Sequence, residues 1–376
     1  MSLKPHICFV ALGAWPILSG DRAVRTVGGA EVQQSYIGRG LVQAGYRVSM
    51  ICTDHGQADG VVIDGMRVFK AHAPSGGIPV LRFVHPRFTS VWQAMRRSDA
   101  DIYYQRGAGV HTAYVAAFCR HYDRKFVYAA AHDADFDPTL PYIRYARDRA
   151  LFRWGLRRAD MVIVQSPAQL EASRRSSVLS SRLIKSCYVP PSIKHTQPRG
   201  YVLWVATLRK WKRPEWFIEL ARRLPHLRFR MVGGADDPAY DTDLRRMAAQ
   251  VANLDFAGFI PYADIDREFD GACLFVNTSR HEGFPNTYLQ AWARGIPTVG
   301  TVITGSTYGG VPVEICVRTL EELAGTVAHL IQDQAALSSV AARCHAAFEA
   351  EHSLSVVTRN YAEIIDSMVP KGAHRP

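Results

Sequence analysis

Long apolar runs, cysteine motifs and low-complexity tracts are what this sequence lacks. No run approaches the roughly 18–20 apolar residues of a membrane-spanning helix, so none is expected. The seven cysteines (8, 52, 119, 187, 273, 316, 344) are scattered and odd in number, with no Cys-x-x-Cys. That argues against zinc ribbons and disulfide frameworks and for a reducing cytoplasm. There is no solenoid-type repeat. Hydrophobic content of 48% and charge of 21% exclude disorder as the main state. The first apolar run, His6–Leu12, is short, ends at Gly13, and has only Lys4 before it. Without a small-residue cleavage site it reads as a first β-strand rather than a signal peptide.

What is present begins with length and charge. A chain of 376 residues is most simply two domains. The net charge of +11 is unevenly placed: residues 1–195 carry +12 and residues 196–376 carry −1. A basic half beside a neutral half suggests that one domain meets something anionic. An acidic membrane surface or a phosphorylated lipid fits. Nucleic acid is not expected, since no recognition module is visible.

Short β-rich runs alternate with amphipathic stretches. Strands are expected at 6–12, 46–52, 101–104, 125–130 and 160–164, with helices near 29–44, 88–97, 110–122 and 139–158. Val61–Val68 reads as a hairpin turning at Asp64-Gly65. In the second half, strands are expected at 201–206, 227–232, 254–257, 272–276 and 297–300. Helices are expected near 213–223, 240–251, 286–294, 320–331 and 335–349. Such alternation predicts parallel sheets covered on both faces. Three prolines within 189–198 mark a linker. The expected architecture is therefore α/β, with two facing Rossmann-like domains, 1–190 and 199–352, and a ligand site in a deep cleft between them. A last helix near 353–367, within a tail of 353–376, is expected to cross back to the first domain.

The segment richest in chemistry is Thr278–Val299. A strand runs into a loop, then Glu282-Gly283-Phe284-Pro285, then a helix. Gly283 lets the backbone turn closely around a ligand, and Pro285 suits a first helical turn. Free amides from Gly283 to Asn286 can cradle a diphosphate. Glu282 would repel that phosphate unless it faces hydroxyls, and sugar hydroxyls are the natural partner. Gln290 lies eight residues later, just over two helical turns, which predicts that it faces the same cleft. Asp99-Ala-Asp101 and Asp133-Ala-Asp135 spell Asp-x-Asp, but metal binding by either is not expected.

The segment resembles the Glu-x7-Glu signature of family 4 retaining glycosyltransferases of GT-B fold, in an Glu-Gly-Phe-Pro-Asn variant. Other positions resemble that family in order along the chain. Gly28-Gly29-Ala30-Glu31 and Gly45-Tyr46-Arg47-Val48 are similar to its N-terminal glycine loop region. Val205–Pro214 resembles its phosphate-binding strand exit, and Gly258-Phe259-Ile260 its nucleotide pocket. His132-Asp133 resembles its active-site histidine.

The resemblance implies transfer of a sugar from a nucleotide diphosphate donor to a polysaccharide or lipid-linked acceptor, with retention of configuration and no metal or other cofactor. It implies a catalytic set of His132, Glu282 and Lys212. Gly28, Gly29, Arg209, Gly233, Phe259, Ile260, Gly283, Phe284, Pro285, Asn286 and Gln290 are implied to line the donor site. Lys212, with Arg209 or Lys210 as a second cation, would neutralise the departing diphosphate. Glu282 would orient the donor sugar and His132 would hydrogen-bond it. Two positions depart from the family. Gln290 replaces the second glutamate, which removes charge assistance worth about 1–2 kcal/mol, and Thr207 stands at the arginine position. These departures favour one rival, a non-catalytic nucleotide-sugar-binding scaffold; a second, a nucleotide-sugar epimerase of the same fold, is kept as an alternative although the Glu282–Gln290 spacing argues against it. The basic segments Arg87–Arg97 and Arg144–Arg158, interleaved with aromatics, are candidates for docking on the inner face of an acidic membrane.

Overall fold

A computed structural model describes residues 4–20, 28–75, 83–176, 180–191 and 200–369. Most of the expected linker, residues 192–198, lies outside them, as does the chain beyond residue 369. The chain divides into two compact units. Among the described residues the first holds 4–20, 28–187 and 354–369, and the second holds 188–353. No helix among the described residues is long and apolar enough to cross a membrane.

The first unit is built on β1 (His6–Val10), β2 (Arg47–Cys52), β3 (Val61–Ile63), β4 (Met66–Lys70), β5 (Ile102–Arg106), β6 (Lys125–Ala129), β7 (Met161–Val164) and β8 (Ser181–Leu183). They form one sheet in the order β3-β4-β2-β1-β5-β6-β7-β8. Only the β3–β4 pair is antiparallel, and it turns at Asp64-Gly65, both with positive φ (49° and 77°). That conformation is what an Asp-Gly hairpin turn requires. The central strands are buried along nearly their whole length, as parallel strands covered on two faces must be.

The helix expected over 139–158 is shorter, Ala146–Leu156. Pro138 and Pro141 break up the preceding turn, where Leu140 takes φ 49°. Among the short elements that went unforeseen are the helix Trp15–Ser19, the helix Pro167–Arg175, capped by Ser166 Oγ accepting from the Gln169 N–H, and β8 beyond it. The last helix, Leu354–Met368, packs on the helix Gly29–Gln43. Gly40 permits that contact, since a Cβ there would lie 2.1 Å from Thr358 Oγ1. Tyr46 donates to Asp366 (2.7 Å) across the same seam.

The second unit is built on β9 (Tyr201–Val205), β10 (Phe229–Val232), β11 (Leu254–Gly258), β12 (Ala272–Asn277), β13 (Thr298–Gly300), a small hairpin of β14 (Thr307–Tyr308) and β15 (Val311–Pro312), and β16 (Ile315–Cys316). The main sheet is parallel, in the order β11-β10-β9-β12-β13-β16. Helices Pro214–Arg223, Pro238–Ala248, Asn286–Trp292, Leu320–Gln332 and Gln334–Glu351 connect and cover it. Because β9 sits between β10 and β12, the loops leaving these three strands are neighbours at the carboxyl edge. In open α/β sheets this is the edge that binds ligands.

Candidate functional site

In the second unit, the loops leaving β9 and β12 are stitched together by side chains bonded to main chain. Thr278, fully buried, accepts from Trp204 Nε1 (2.9 Å) and donates to the carbonyls of Lys212 (2.6 Å) and Arg213 (2.9 Å). Arg213, in the left-handed region at φ 49°, donates Nε to the Thr278 carbonyl (2.6 Å) and an outer nitrogen to Thr301 Oγ1 (2.8 Å). Thr301 Oγ1 in turn donates to the Ser279 carbonyl (2.6 Å), and the Arg280 N–H to the Trp211 carbonyl (2.8 Å). Burial in this frame and the nearby Arg280 lower the Arg213 pKa.

The frame brings Lys212 and Glu282 together. Lys212 Nζ is ion-paired with Glu282 Oε1, and Ser279 Oγ donates to the same oxygen at 2.8 Å. Both charged side chains are mostly covered, at 19% and 16% exposure. Partial burial makes such a charge-assisted contact stronger than a surface pair. Ser279 and Arg213 were missed as site residues in the sequence. The Ser-x-x-Glu spacing of 279–282 was the available signal for Ser279; Arg213 gave none beyond standing before Pro214.

The remaining candidates in this unit fall in several places. Arg209 pairs with Asp236 (3.2 Å) and lies over the Trp211 ring (5.0 Å). Lys210 is exposed and Thr207 half-buried. Gly233 is pressed against the chain leaving β9, where a Cβ would meet the Ala206 carbonyl oxygen at 2.1 Å. Close backbone packing alone therefore requires glycine there. Its neighbour Gly234 and Phe259 line a cavity of about 500 Å³ with Asp236, Asp241, Thr242 and Arg245, beyond the ends of β10 and β11. Ile260 follows, half-buried. Gly283, Phe284 and Pro285 form the turn into the helix starting at Asn286, and Phe284 packs on His352 (5.2 Å between ring centres).

Gln290 corrects the helical count made from Glu282. The helix begins only at Asn286, so Glu282 and Gln290 do not share a helical phase. Gln290 is 3% exposed, and its Nε2 donates to Asp266 Oδ1 at 3.4 Å. Asp266 belongs to a half-buried cluster: it accepts from the Tyr188 hydroxyl and from Arg294 (3.1 Å), and Arg294 also pairs with Asp270 (2.7 Å). Burial and the Asp266 charge raise the Tyr188 pKa far above its usual range. An amide at 290 can donate to that carboxylate; a glutamate could not.

In the first unit, His132 stands just past β6, at the carboxyl edge of its sheet, as the N-cap of a short turn, Asp133–Phe136. Its Nδ1 accepts from the Ala134 N–H at 3.1 Å. Asp135, 5% exposed, gathers the Tyr128 hydroxyl (2.8 Å), the Ala131 N–H (2.8 Å) and the His132 N–H (3.4 Å) on Oδ2. Burial is the main cause of its raised pKa. Asp133 Oδ1 accepts from Gln169 Nε2 (2.8 Å). Both carboxylates of this Asp-x-Asp thus hold the loop. The other, Asp99-Ala-Asp101, pairs with Arg124 (2.5 and 3.8 Å).

Gly28 is the N-cap of the helix Gly29–Gln43. The carboxylate of Glu31 folds back over this end, so that a Cβ on Gly28 would lie 2.0 Å from Glu31 Oε2 and one on Gly13 2.9 Å from Oε1. The negative charge favoured at a helix N-terminus is here supplied by the chain itself.

Comparison with known proteins matches each unit separately. Residues 27–184 match the family described as Glycosyltransferase Family 4, and residues 199–333 match Glycosyl transferases group 1. The lipopolysaccharide core biosynthesis glycosyltransferase LpsE of Rhizobium meliloti (strain 1021) is 26% identical over 157 residues, which is 40% of this chain and 45% of that protein. Among solved structures, sucrose-phosphate synthase from Thermosynechococcus elongatus superposes with a TM-score of 0.75 at 18% identity, over 97% of this chain and 99% of that one. TarM gives 0.69 at 10% identity (96% and 99%). The lipopolysaccharide outer core galactosyltransferase WaaB gives 0.64 at 13% identity (98% and 100%). These structures share the GT-B fold, two α/β domains with parallel sheets, and this chain has it too. Each unit thus carries a glycosyltransferase domain, of family 4 in the first and of group 1 in the second, which supports a group 1/family 4 glycosyltransferase.

Proposed function

We propose that the chain transfers a sugar from a nucleotide diphosphate-sugar to a polysaccharide or lipid-linked acceptor, with retention of configuration at the anomeric carbon. The observation that carries this reading is the half-buried Lys212–Glu282 pair on adjoining strand exits. Breaking the sugar–phosphate bond leaves negative charge on the diphosphate, and a preset cation lowers that barrier. The Lys212 ammonium has three donors, enough to keep Glu282 and take a phosphate oxygen. Glu282, fixed by Ser279, then faces sugar hydroxyls. His132 supplies a further hydrogen bond to the sugar. Neutralisation falls to side chains, so no metal enters the proposal. LpsE and WaaB, both glycosyltransferases of the lipopolysaccharide core, support an acceptor in surface-polysaccharide assembly.

The test is a thermal-shift screen against UDP, GDP, ADP, TDP and their sugar conjugates. Binding at a hundredfold excess over Kd adds about 2.7 kcal/mol to stability. A shift confined to one nucleotide names the donor, and product analysis then separates transfer from epimerisation. No shift on folded protein would favour the non-catalytic scaffold.

A second reading is compatible with the first: the basic unit docks peripherally on an acidic membrane. Tyr142 and Tyr145 are 62% and 57% exposed beside Arg144, which lies over the Tyr145 ring. Not every arginine is free for this. Arg149 and Arg153 donate to the carbonyls of Ile143 (2.8 Å) and Pro138 (2.6 Å), and Arg147 pairs with Asp148. Sedimentation with anionic vesicles should show binding that weakens with salt; salt-independent or absent binding rejects this reading.

A further inference from the structure

We infer that the buried carboxylate of Asp135 holds His132 in a single tautomer, with the proton on Nε2, so that this histidine meets substrate as a hydrogen-bond donor and not as a base. The inference rests on the reading that His132 faces the donor sugar; the tautomer itself does not. An amide N–H can be accepted only by a lone pair, and the Ala134 N–H points at Nδ1 from 3.1 Å. The neutral ring therefore carries its hydrogen on Nε2. The opposite tautomer would set Nδ1–H against the amide N–H, donor against donor.

Asp135 is what makes this arrangement persist. It closes a reciprocal cap: the His132 ring takes the Ala134 N–H while the Asp135 carboxylate takes the His132 N–H. The same Oδ2 ties that cap to β6 through the Tyr128 hydroxyl and the Ala131 N–H, each at 2.8 Å. A second brace reaches the turn from the helix Pro167–Arg175. There Gln169 donates to Asp133 (2.8 Å) while accepting from the Gln165 N–H (2.9 Å), and Gln165 Nε2 donates to the Ala130 carbonyl (2.6 Å). Ser186 Oγ closes the chain on Gln165 Oε1 at 2.6 Å. Tyr142 meets the His132 ring edge to face (4.9 Å, 78°), which limits rotation about its axis. The ring is thus aimed by a buried carboxylate and by the turn it caps. Asp135 is a positioning residue, and the group it prepares His132 to meet is an oxygen lone pair, as on a sugar hydroxyl.

The first experiment needs no donor. In 15N-labelled protein, with the His132 signal assigned from its loss in His132→Gln, long-range 1H–15N spectra should show the Nε2–H tautomer. Asp135→Ala should mix the tautomers, and Asp135→Asn, which keeps an acceptor oxygen, should restore the wild-type pattern. If Asp135→Ala does not fold, Tyr128→Phe and Asp135→Asn carry the comparison. An Nδ1–H pattern in wild type, or an Asp135→Ala spectrum identical to it, overturns the inference.

Kinetics with the donor then test the role. A glutamine amide reaches the place of Nε2 and an asparagine amide that of Nδ1, so His132→Gln should retain far more kcat than His132→Asn. Asp135→Ala should lower kcat by about tenfold to a hundredfold, with acceptor KM nearly unchanged. The reverse order of Gln and Asn overturns the donor role. Wild-type rates in both His132 variants would instead reject the placing of His132 at the substrate, and leave the tautomer result standing.

Discussion

The two units present their candidate groups by different physical means. In the second, Lys212 and Glu282 sit on loops joined by side chains that bond main-chain carbonyls, chiefly Thr278 and Arg213. The two charges neutralise each other and keep partial access to solvent. In the first, His132 is fixed from beneath by a carboxylate that is itself buried and has no cation bonded to it in the described contacts. One arrangement stores charge ready for a charged ligand. The other sets the direction of a hydrogen-bonding ring, and it does so at the cost of burying a carboxylate.

That contrast can be broken experimentally. The largest effect should come from Lys212→Ala and Glu282→Ala, each expected to lower kcat by about a hundredfold or more while the protein stays folded. Near-wild-type rates in both would remove the second unit's pair from the chemistry. Gly233→Ala should act on folding instead, because its Cβ would overlap the Ala206 carbonyl. Overpacking of this kind costs about 1–3 kcal/mol, read as a lowered midpoint in urea unfolding.

The buried carboxylate predicts a pH dependence. Burial raises the Asp135 pKa in the folded state above its ordinary 3.8. The folded protein therefore holds this proton more tightly than the unfolded chain. Asp135 then contributes most favourably below pH 3.8, and that contribution is lost as pH rises through the folded-state value. Wild type should gain stability relative to Asp135→Asn as pH is lowered through the carboxylate range, as followed by thermal unfolding at several pH values. A difference that stays flat, or grows with rising pH, would contradict the burial account. The smallest effect is expected from Gln290→Glu. A second carboxylate against Asp266 should lower Tm modestly and should not tighten nucleotide binding; a tighter nucleotide with unchanged Tm would restore the role expected for a glutamate there.

Much of this was readable in advance. The strand–helix alternation anticipated both sheets, and Asp64-Gly65 anticipated its hairpin, because periodicity and turn chemistry are local properties. The Ser166-Pro167 start of a helix was equally readable and was overlooked. Lys212 and Glu282 stand 70 residues apart and were placed in one catalytic set only through resemblance to a family; their ion pair was not foreseen. The role of Asp135 went unread for a different reason: its Asp-x-Asp was weighed only as a metal motif and set aside, whereas its partners lie on β6 and on the turn it caps.

By itself the sequence determined the elements, their alternation and the motif Glu282–Asn286, since each depends on residues close along the chain. Only the tertiary structure decided which polar groups meet. Sheet order set the exits of β9 and β12 side by side and so joined Lys212 to Glu282. It also turned Gln290 toward Asp266 and buried Asp135 beneath His132. Hydrogen bonds act over about 3 Å, and in this chain their partners are often dozens of residues apart, so only the packed fold brings them within reach.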